Sequence, residues 1–132
     1  MSLHLQSRPC SSDTSHRPDH CDGTYDSYCD ETRQYTNITQ ILEAYNRYDI
    51  LNYMRIYWKD YTGDDESFWE HEWGKHGTCI STLDPTCYIN YTPQEEVVDY
   101  LERTVRLFSH LNTYEVPPSI PSTKYRTRLT AL

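Results

Sequence analysis

The 132-residue sequence lacks an apolar run long enough to span a membrane, and it is poor in basic residues. Its 12 Lys and Arg are outnumbered by 20 Asp and Glu, which gives a formal net charge of −8 at pH 7. This balance argues against a general nucleic-acid coat protein, because such a protein would present a basic face. It leaves open an enzyme that handles nucleic acid transiently at acidic pH, since its six histidines would then carry charge.

Glycine and proline are not in excess, and 24% of the residues are charged, so the composition argues against wholesale disorder. The hydrophobic fraction of 36% depends on 13 Tyr and 3 Trp rather than on Leu, Ile and Val. Aromatic side chains bury large areas while keeping a polar group. The chain is long enough for one domain with one modest core, and this composition suits a mixed domain with a concave, partly polar site.

No C-x-x-C pair is present, which argues against a zinc ribbon or a thiol redox motif. Two N-glycosylation sequons begin at Asn37 and Asn90, and together with five cysteines they favour a secreted, disulfide-bonded glycoprotein. The segment Met1–Ser15 contains no apolar stretch that could serve as a signal peptide. An odd number of cysteines and a missing signal lead us to expect that sequence has been lost from a secreted protein. The cysteines are Cys10, Cys21, Cys29, Cys79 and Cys87.

Apolar residues at spacings of three and four predict helices over about residues 38–45, 49–58 and 66–76. The acidic loop 60–65 would cap the third of these helices, and Gly77 would end it.

A fourth helix is predicted from Thr92-Pro93-Gln94-Glu95, which reads as a capping box with proline at the first helical position. Its apolar stripe comprises Val97, Val98, Leu101, Val105 and Phe108.

Four chemically active side chains are predicted on one face of the third helix. His71, Glu72, Lys75 and His76 fall within roughly 140° of arc at about 100° per residue. Imidazoles transfer protons near neutral pH, and a lysine can stabilise a phosphate oxygen that gains charge in a transition state. Glu72 lies four residues before His76 and can orient its ring.

Two other interpretations of this helix need to be weighed. A charged face on an exposed helix is common and needs no function. A metalloprotease site requires His-Glu-x-x-His, whereas here Lys75 stands four residues after His71, so we expect no metal site. The flanking Phe68, Trp69 and Trp73, with Gly77-Thr78-Cys79 at the helix end, favour an active site over a solvated face.

The segment Trp69–Cys79, WEHEWGKHGTC, resembles the second conserved active-site segment of the ribonuclease T2 family. Two further segments, Pro18–Tyr25 and Tyr28–Asp30, resemble the stretch after the family's first active-site segment, in its fungal branch. The resemblance runs from about Pro18 to Tyr114 and covers about half of a complete family domain.

This resemblance implies an α+β fold, with helices packed on an antiparallel sheet that is incomplete in this chain. It implies an endoribonuclease that cleaves single-stranded RNA by attack of the ribose 2′-hydroxyl, leaving a 2′,3′-cyclic phosphate, without a metal or other cofactor. We expect a monomer with no DNA or membrane partner, located outside the cell or in the vacuole or lysosome. Residues 1–17 would be an atypical, disordered segment, residues 18–115 a partial domain, and residues 116–132 a divergent tail.

The resemblance also assigns roles to the four side chains of the third helix. His76 resembles the imidazole that takes the 2′-hydroxyl proton, and His71 resembles the histidine that positions the phosphate. Glu72 and Lys75 resemble the pair that stabilises the pentacovalent phosphate.

Further roles follow from the same resemblance. Asp19 and Tyr25 fall where the family binds a base, with Tyr25 stacking on it as aromatic side chains do, and Trp69 is assigned to the substrate site as well. Cys29 would pair with Cys79. Cys21 and Cys87 would need partners in a region that this chain lacks.

The chain departs from the family in its first active-site segment, His-Gly-Leu-Trp-Pro. Pro18 sets the register, so Thr14 occupies the histidine position and Arg17 the tryptophan position, while His16 and His20 read as loop histidines. Loss of one acid–base partner costs about 10²–10⁴-fold in rate. Two alternatives therefore stay open: a non-catalytic remnant that binds RNA or a partner, and a disulfide-bonded structural module.

Overall fold

The computed structural model describes residues 22–111, and this part of the chain is helical. The bounds of its four α-helices are α1 Ile38–Ala44, α2 Tyr48–Tyr57, α3 Asp65–Lys75 and α4 Glu95–Leu111. The first three agree with the predicted helices to within one or two residues. No β-strand occurs between residues 22 and 111, so the predicted sheet has no strand in this part. No helix in this same range is long and apolar enough to cross a membrane.

Helix α1 lies at the centre of the packing and contacts the other three helices. Its Ile38 and Leu42 are fully buried, as is Leu51 on α2. Burying an aliphatic side chain of this size stabilises the fold by about 1.5–3 kcal/mol, so α1 is held mainly by its apolar face. The remaining buried apolar residues are Ile41, Ile50, Met54, Trp69, Trp73, Ile80, Leu83, Val97, Val98, Tyr100 and Leu101.

The loop before α3 caps that helix, as predicted. The carboxylate of Asp64 accepts a hydrogen bond from the backbone N–H of Ser67 at 3.2 Å. In the first turn, the carboxylate of Glu66 accepts from the backbone N–H of Thr39 at 2.9 Å and from the Thr39 hydroxyl. Carboxylates stabilise a helix N-terminus by satisfying its free N–H groups and its dipole, and Glu66 also ties α3 to α1.

The predicted start of α4 is wrong. Gln94 has a φ of +73°, which no helical residue adopts, so α4 begins at Glu95 and the capping box does not form. The side chain that fixes this end is Glu96, which is fully buried. Its carboxylate accepts hydrogen bonds from the hydroxyls of Tyr35 at 3.2 Å and Tyr91 at 2.8 Å. A buried carboxylate needs such donors, and their positions decide where the helix starts.

The predicted apolar stripe of α4 is buried only along its first half. Val97, Val98 and Leu101 are in the core, Val105 is partly buried against it, and Phe108 is 42% exposed. The last turns of α4 therefore extend past the part of the core that these residues form.

The end of α3 is set by a close contact at Gly77. Helix α3 ends at Lys75, His76 follows as its C-cap, and a 3₁₀ turn covers Gly77–Cys79. A Cβ atom at Gly77 would lie 2.2 Å from Cε3 of Trp73, which no side chain tolerates. Glycine was predicted here as a helix terminator, and the structural reason is the tryptophan ring against its backbone.

We expect Gly77→Ala to lower the free energy of unfolding by about 1–3 kcal/mol, because the added methyl forces Trp73 or the backbone beside His76 to move. Gly74→Ala is the matched control, since its Cβ would meet Cγ of Gln34 at an ordinary 3.6 Å. Alanine there should stabilise the helix by about 0.5–1 kcal/mol. Urea unfolding of both variants measures the difference, and equal stability of the two would contradict this account.

Candidate active site

The four predicted catalytic side chains differ in exposure in an order that the helix geometry explains. His71 is exposed, Glu72 and Lys75 are half-buried, and His76 at the C-cap is only 4% exposed. The four side chains share one arc of the helix. At about 100° per residue, the buried Trp73 lies just beyond the edge of this arc at which His76 stands, and it is farthest from His71. The arc therefore runs from the core to solvent, with one imidazole at each end.

A second segment, residues 25–29, lies against α3 and supplies two tyrosines to the same face. The ring centroid of Tyr25 is 6.4 Å from that of His76, at an interplanar angle of 51°. The Tyr28 hydroxyl is 3.1 Å from Nδ1 of His71, and the Tyr28 backbone N–H donates to the Lys75 carbonyl at 3.1 Å. The structure thus brings the predicted base-binding Tyr25 beside the predicted proton acceptor. Their roles stay predictions.

The predicted Cys29–Cys79 disulfide is confirmed, with a Cα–Cα distance of 5.0 Å. Next to it, the Cys29 backbone N–H donates to Oγ1 of Thr78 at 3.1 Å, and that hydroxyl donates to the Gly74 carbonyl at 2.8 Å. Segment 25–29 is therefore held to the end of α3 by one covalent bond and a relay of hydrogen bonds.

Cys87 is also disulfide-bonded. The expectation that Cys87 would need a partner in a region that the chain lacks is therefore wrong.

Arg33 packs behind the candidate site, and no sequence motif predicts its position. It is 7% exposed and donates to the carbonyls of Leu83 at 2.9 Å and Thr78 at 3.1 Å. Its guanidinium pairs with Asp30 at 2.7 Å and lies 5.9 Å from the ring centroid of Trp73. An arginine bound mainly to backbone carbonyls has no local sequence signature, because its partners lie 45 and 50 residues away.

Two further residues predicted to contact substrate are Trp69 and Asp19. Trp69 is 2% exposed, and its indole N–H donates to the Trp58 carbonyl at 2.8 Å. Trp69 therefore lies in the core, and its assignment to the substrate site stays a prediction. Asp19 lies outside the described residues, as do Thr14 and His16. Among residues 22–111, no group of three or more His, Cys, Asp or Glu side chains could hold a metal ion.

Most of the chain matches a single family model, that of the Ribonuclease T2 family, which covers residues 14–126. This chain belongs to that family. Ribonuclease Trv of Hypocrea rufa is 61% identical to it over 98 residues, covering 74% of this chain and 42% of that protein. Ribonuclease T2 of Aspergillus oryzae is 57% identical over 98 residues, covering 74% of this chain and 36% of that protein.

The fold is that of the ribonuclease T2 family as well. The crystal structure of Actibind, a T2 ribonuclease, superposes with a TM-score of 0.72 at 60% identity. It covers 74% of this chain and 42% of the Actibind chain. The chain thus spans about two fifths of the length of these relatives, and its helical part has the arrangement found in a T2 ribonuclease.

The contribution of Asp30 to the stability of the fold behind the candidate site depends on pH. Hydrogen bonds from the Thr32 hydroxyl and from Arg33 hold the pKa of the Asp30 carboxyl below its ordinary value. A carboxylate with a lowered pKa stabilises the folded state at pH values above its unfolded pKa of about 3.9. That stabilisation is lost as the pH falls through the lowered folded value.

We therefore expect Asp30→Asn to lower the free energy of unfolding by about 1 kcal/mol at pH 7, allowing for solvent screening of this partly exposed pair. Since asparagine does not titrate, the variant should also lose less stability than the wild type between pH 5 and pH 3. Urea unfolding across this range gives both slopes. Glu43→Gln, on the exposed side of α1, is the control that should keep the wild-type slope. An Asp30→Asn slope equal to that of the wild type would contradict the argument.

Proposed function

We propose that this chain carries the acid–base half of an endoribonuclease site. The reaction is attack of a ribose 2′-hydroxyl on the adjacent phosphorus of single-stranded RNA, giving a 2′,3′-cyclic phosphate without a metal. The observation that supports it is the position of Tyr25 beside His76, with ring centroids 6.4 Å apart. An aromatic ring on which a base can stack thus adjoins an imidazole that can take a proton from the attached ribose.

Each side chain of the arc has a distinct part in this proposal. His76, at the buried end, accepts the 2′-hydroxyl proton, because an imidazole sheltered from water is held in one orientation. Lys75 supplies a fixed positive charge to the oxygens of the pentacovalent phosphate, and Glu72 stabilises the same phosphate together with it. His71, at the exposed end, donates a hydrogen bond to a phosphate oxygen.

A non-catalytic RNA-binding remnant is the second candidate. The observation that favours it is Thr14, which stands where the family has its first histidine. That histidine would protonate the leaving 5′-oxygen, and a threonine hydroxyl is too weak an acid to replace it near neutral pH.

The confirmed disulfide favours an oxidising compartment, so we place the protein outside the cell or in the vacuole or lysosome. We further propose that it acts as a monomer through the partial domain at residues 18–115.

The test is incubation of the full 132-residue chain with poly(U) and poly(A) at pH 5, with detection of cyclic-phosphate ends by mass spectrometry. We expect cleavage about 10²–10⁴-fold slower than by a complete relative, because one acid–base partner is replaced. His76→Asn should abolish the products. His110→Asn, at the exposed end of α4, should leave the rate unchanged.

This incubation, together with an NMR titration with nucleotide, separates the two candidates. Products that persist in His76→Asn would refute the catalytic role of this histidine. Nucleotide-induced shifts of the Tyr25 and His76 signals in NMR spectra, with no product from the wild-type chain, would favour the binding remnant. If neither products nor shifts are observed, the disulfide-bonded structural module is the remaining interpretation.

A further inference from the structure

We propose that Tyr28 is a positioning residue that fixes the ring orientation and the tautomer of His71. The part of the proposal that concerns phosphate rests on the proposed function. The part that concerns the imidazole itself does not, because it follows from contacts within the protein.

Tyr28 touches α3 through its backbone, its ring and its hydroxyl. The backbone N–H donates to the Lys75 carbonyl at 3.1 Å. The ring stands edge-on to His71, with centroids 6.0 Å apart and an interplanar angle of 78°. The hydroxyl lies 3.1 Å from Nδ1 of His71, which is hydrogen-bonding distance. One residue outside the helix therefore contacts two of the four predicted catalytic residues.

The backbone of Tyr28 is held in an unfavourable conformation. Its φ is +52°, a left-handed value that is uncommon for a residue with a bulky side chain. The next residue is Cys29, which the disulfide to Cys79 and the hydrogen bond to Thr78 tie to the end of α3. Such conformations persist where the surrounding structure over-determines them, and they concentrate at functional sites. Here the left-handed backbone at Tyr28 occurs together with the contact between its side chain and His71.

The hydroxyl determines which nitrogen of His71 carries the proton. A neutral imidazole has one N–H donor and one acceptor nitrogen, and the partner of one nitrogen selects the tautomer. When Tyr28 donates to Nδ1, the proton stays on Nε2, at the opposite edge of the ring, as a donor for a phosphate oxygen. When His71 is protonated, Nδ1–H can donate to the same hydroxyl, so the ring keeps its orientation in both charge states. Phenylalanine would keep the ring contact and lose this control.

The tautomer can be measured directly. Long-range ¹H–¹⁵N correlation spectra of the full chain, labelled with ¹⁵N-histidine, separate protonated from unprotonated ring nitrogens at pH 8. We expect the wild-type protein to carry the proton of His71 on Nε2. In Tyr28→Phe the ratio of the two tautomers should fall about 2- to 10-fold, the range that corresponds to one net hydrogen bond. Tyr61→Phe is the matched control, because Tyr61 is 98% exposed.

Two results would overturn the proposal. One is a wild-type His71 with its proton on Nδ1, which needs no variant to detect. The other is a folded Tyr28→Phe, with the remaining histidine signals in place, whose His71 keeps the wild-type tautomer ratio.

Inorganic phosphate tests the link to the site. Titrated at pH 8, the pH of the tautomer measurement, it should bind about 2- to 10-fold more weakly to Tyr28→Phe than to wild type, and equally to wild type and Tyr61→Phe. Wild-type affinity in Tyr28→Phe, or equal weakening in both variants, would overturn the role of Tyr28 in phosphate binding. The tautomer measurement needs no RNA cleavage, so absence of cleavage would count against the proposed function and leave the tautomer result unaffected.

Discussion

The burial of one tryptophan ring holds the site-bearing helix in place. Trp73 is fully buried, and its indole N–H donates to the Arg33 carbonyl at 2.6 Å. Tyr35 stacks parallel to it at 6.4 Å, and Tyr100 meets it edge-on at 5.6 Å. Such aromatic pairs add about 0.5–1.5 kcal/mol each beyond their buried area. An indole held on its faces, its edge and its N–H cannot rotate. Trp73 therefore fixes the orientation of α3 about its own axis.

That orientation fixes the chemistry on the outer side of the helix. With Trp73 in the core, the arc from His76 to His71 faces the segment that carries the two tyrosines. The backbone of Gly77 packs on the same indole ring, and Gly77 directly follows the buried His76 in the chain. Core packing and the geometry of the candidate site therefore depend on the same short segment, residues 73–77. A single methyl group added at Gly77 would disturb both.

Much of this arrangement follows from local sequence pattern. Apolar spacing located α1 to α3, and the offsets from His71 to His76 placed their side chains on one arc, because both depend only on helical periodicity. The start of α4 did not follow, since it depends on the burial of Glu96 against Tyr91 and against Tyr35, which lies 61 residues earlier in the chain. Arg33 was missed for the same reason. Two of its partners are distant backbone carbonyls, which no residue pattern records.

The link between Cys29 and Cys79 closes a loop with a sequence separation of 50 residues. In the chain-entropy model, a loop of this length removes about 4 kcal/mol of freedom from the unfolded ensemble. One end lies near the predicted base-binding Tyr25, and the other follows the helix that carries the predicted catalytic side chains. Even in an unfolded chain these two parts remain tethered to one another, so the search that assembles the candidate site is already restricted before any helix forms.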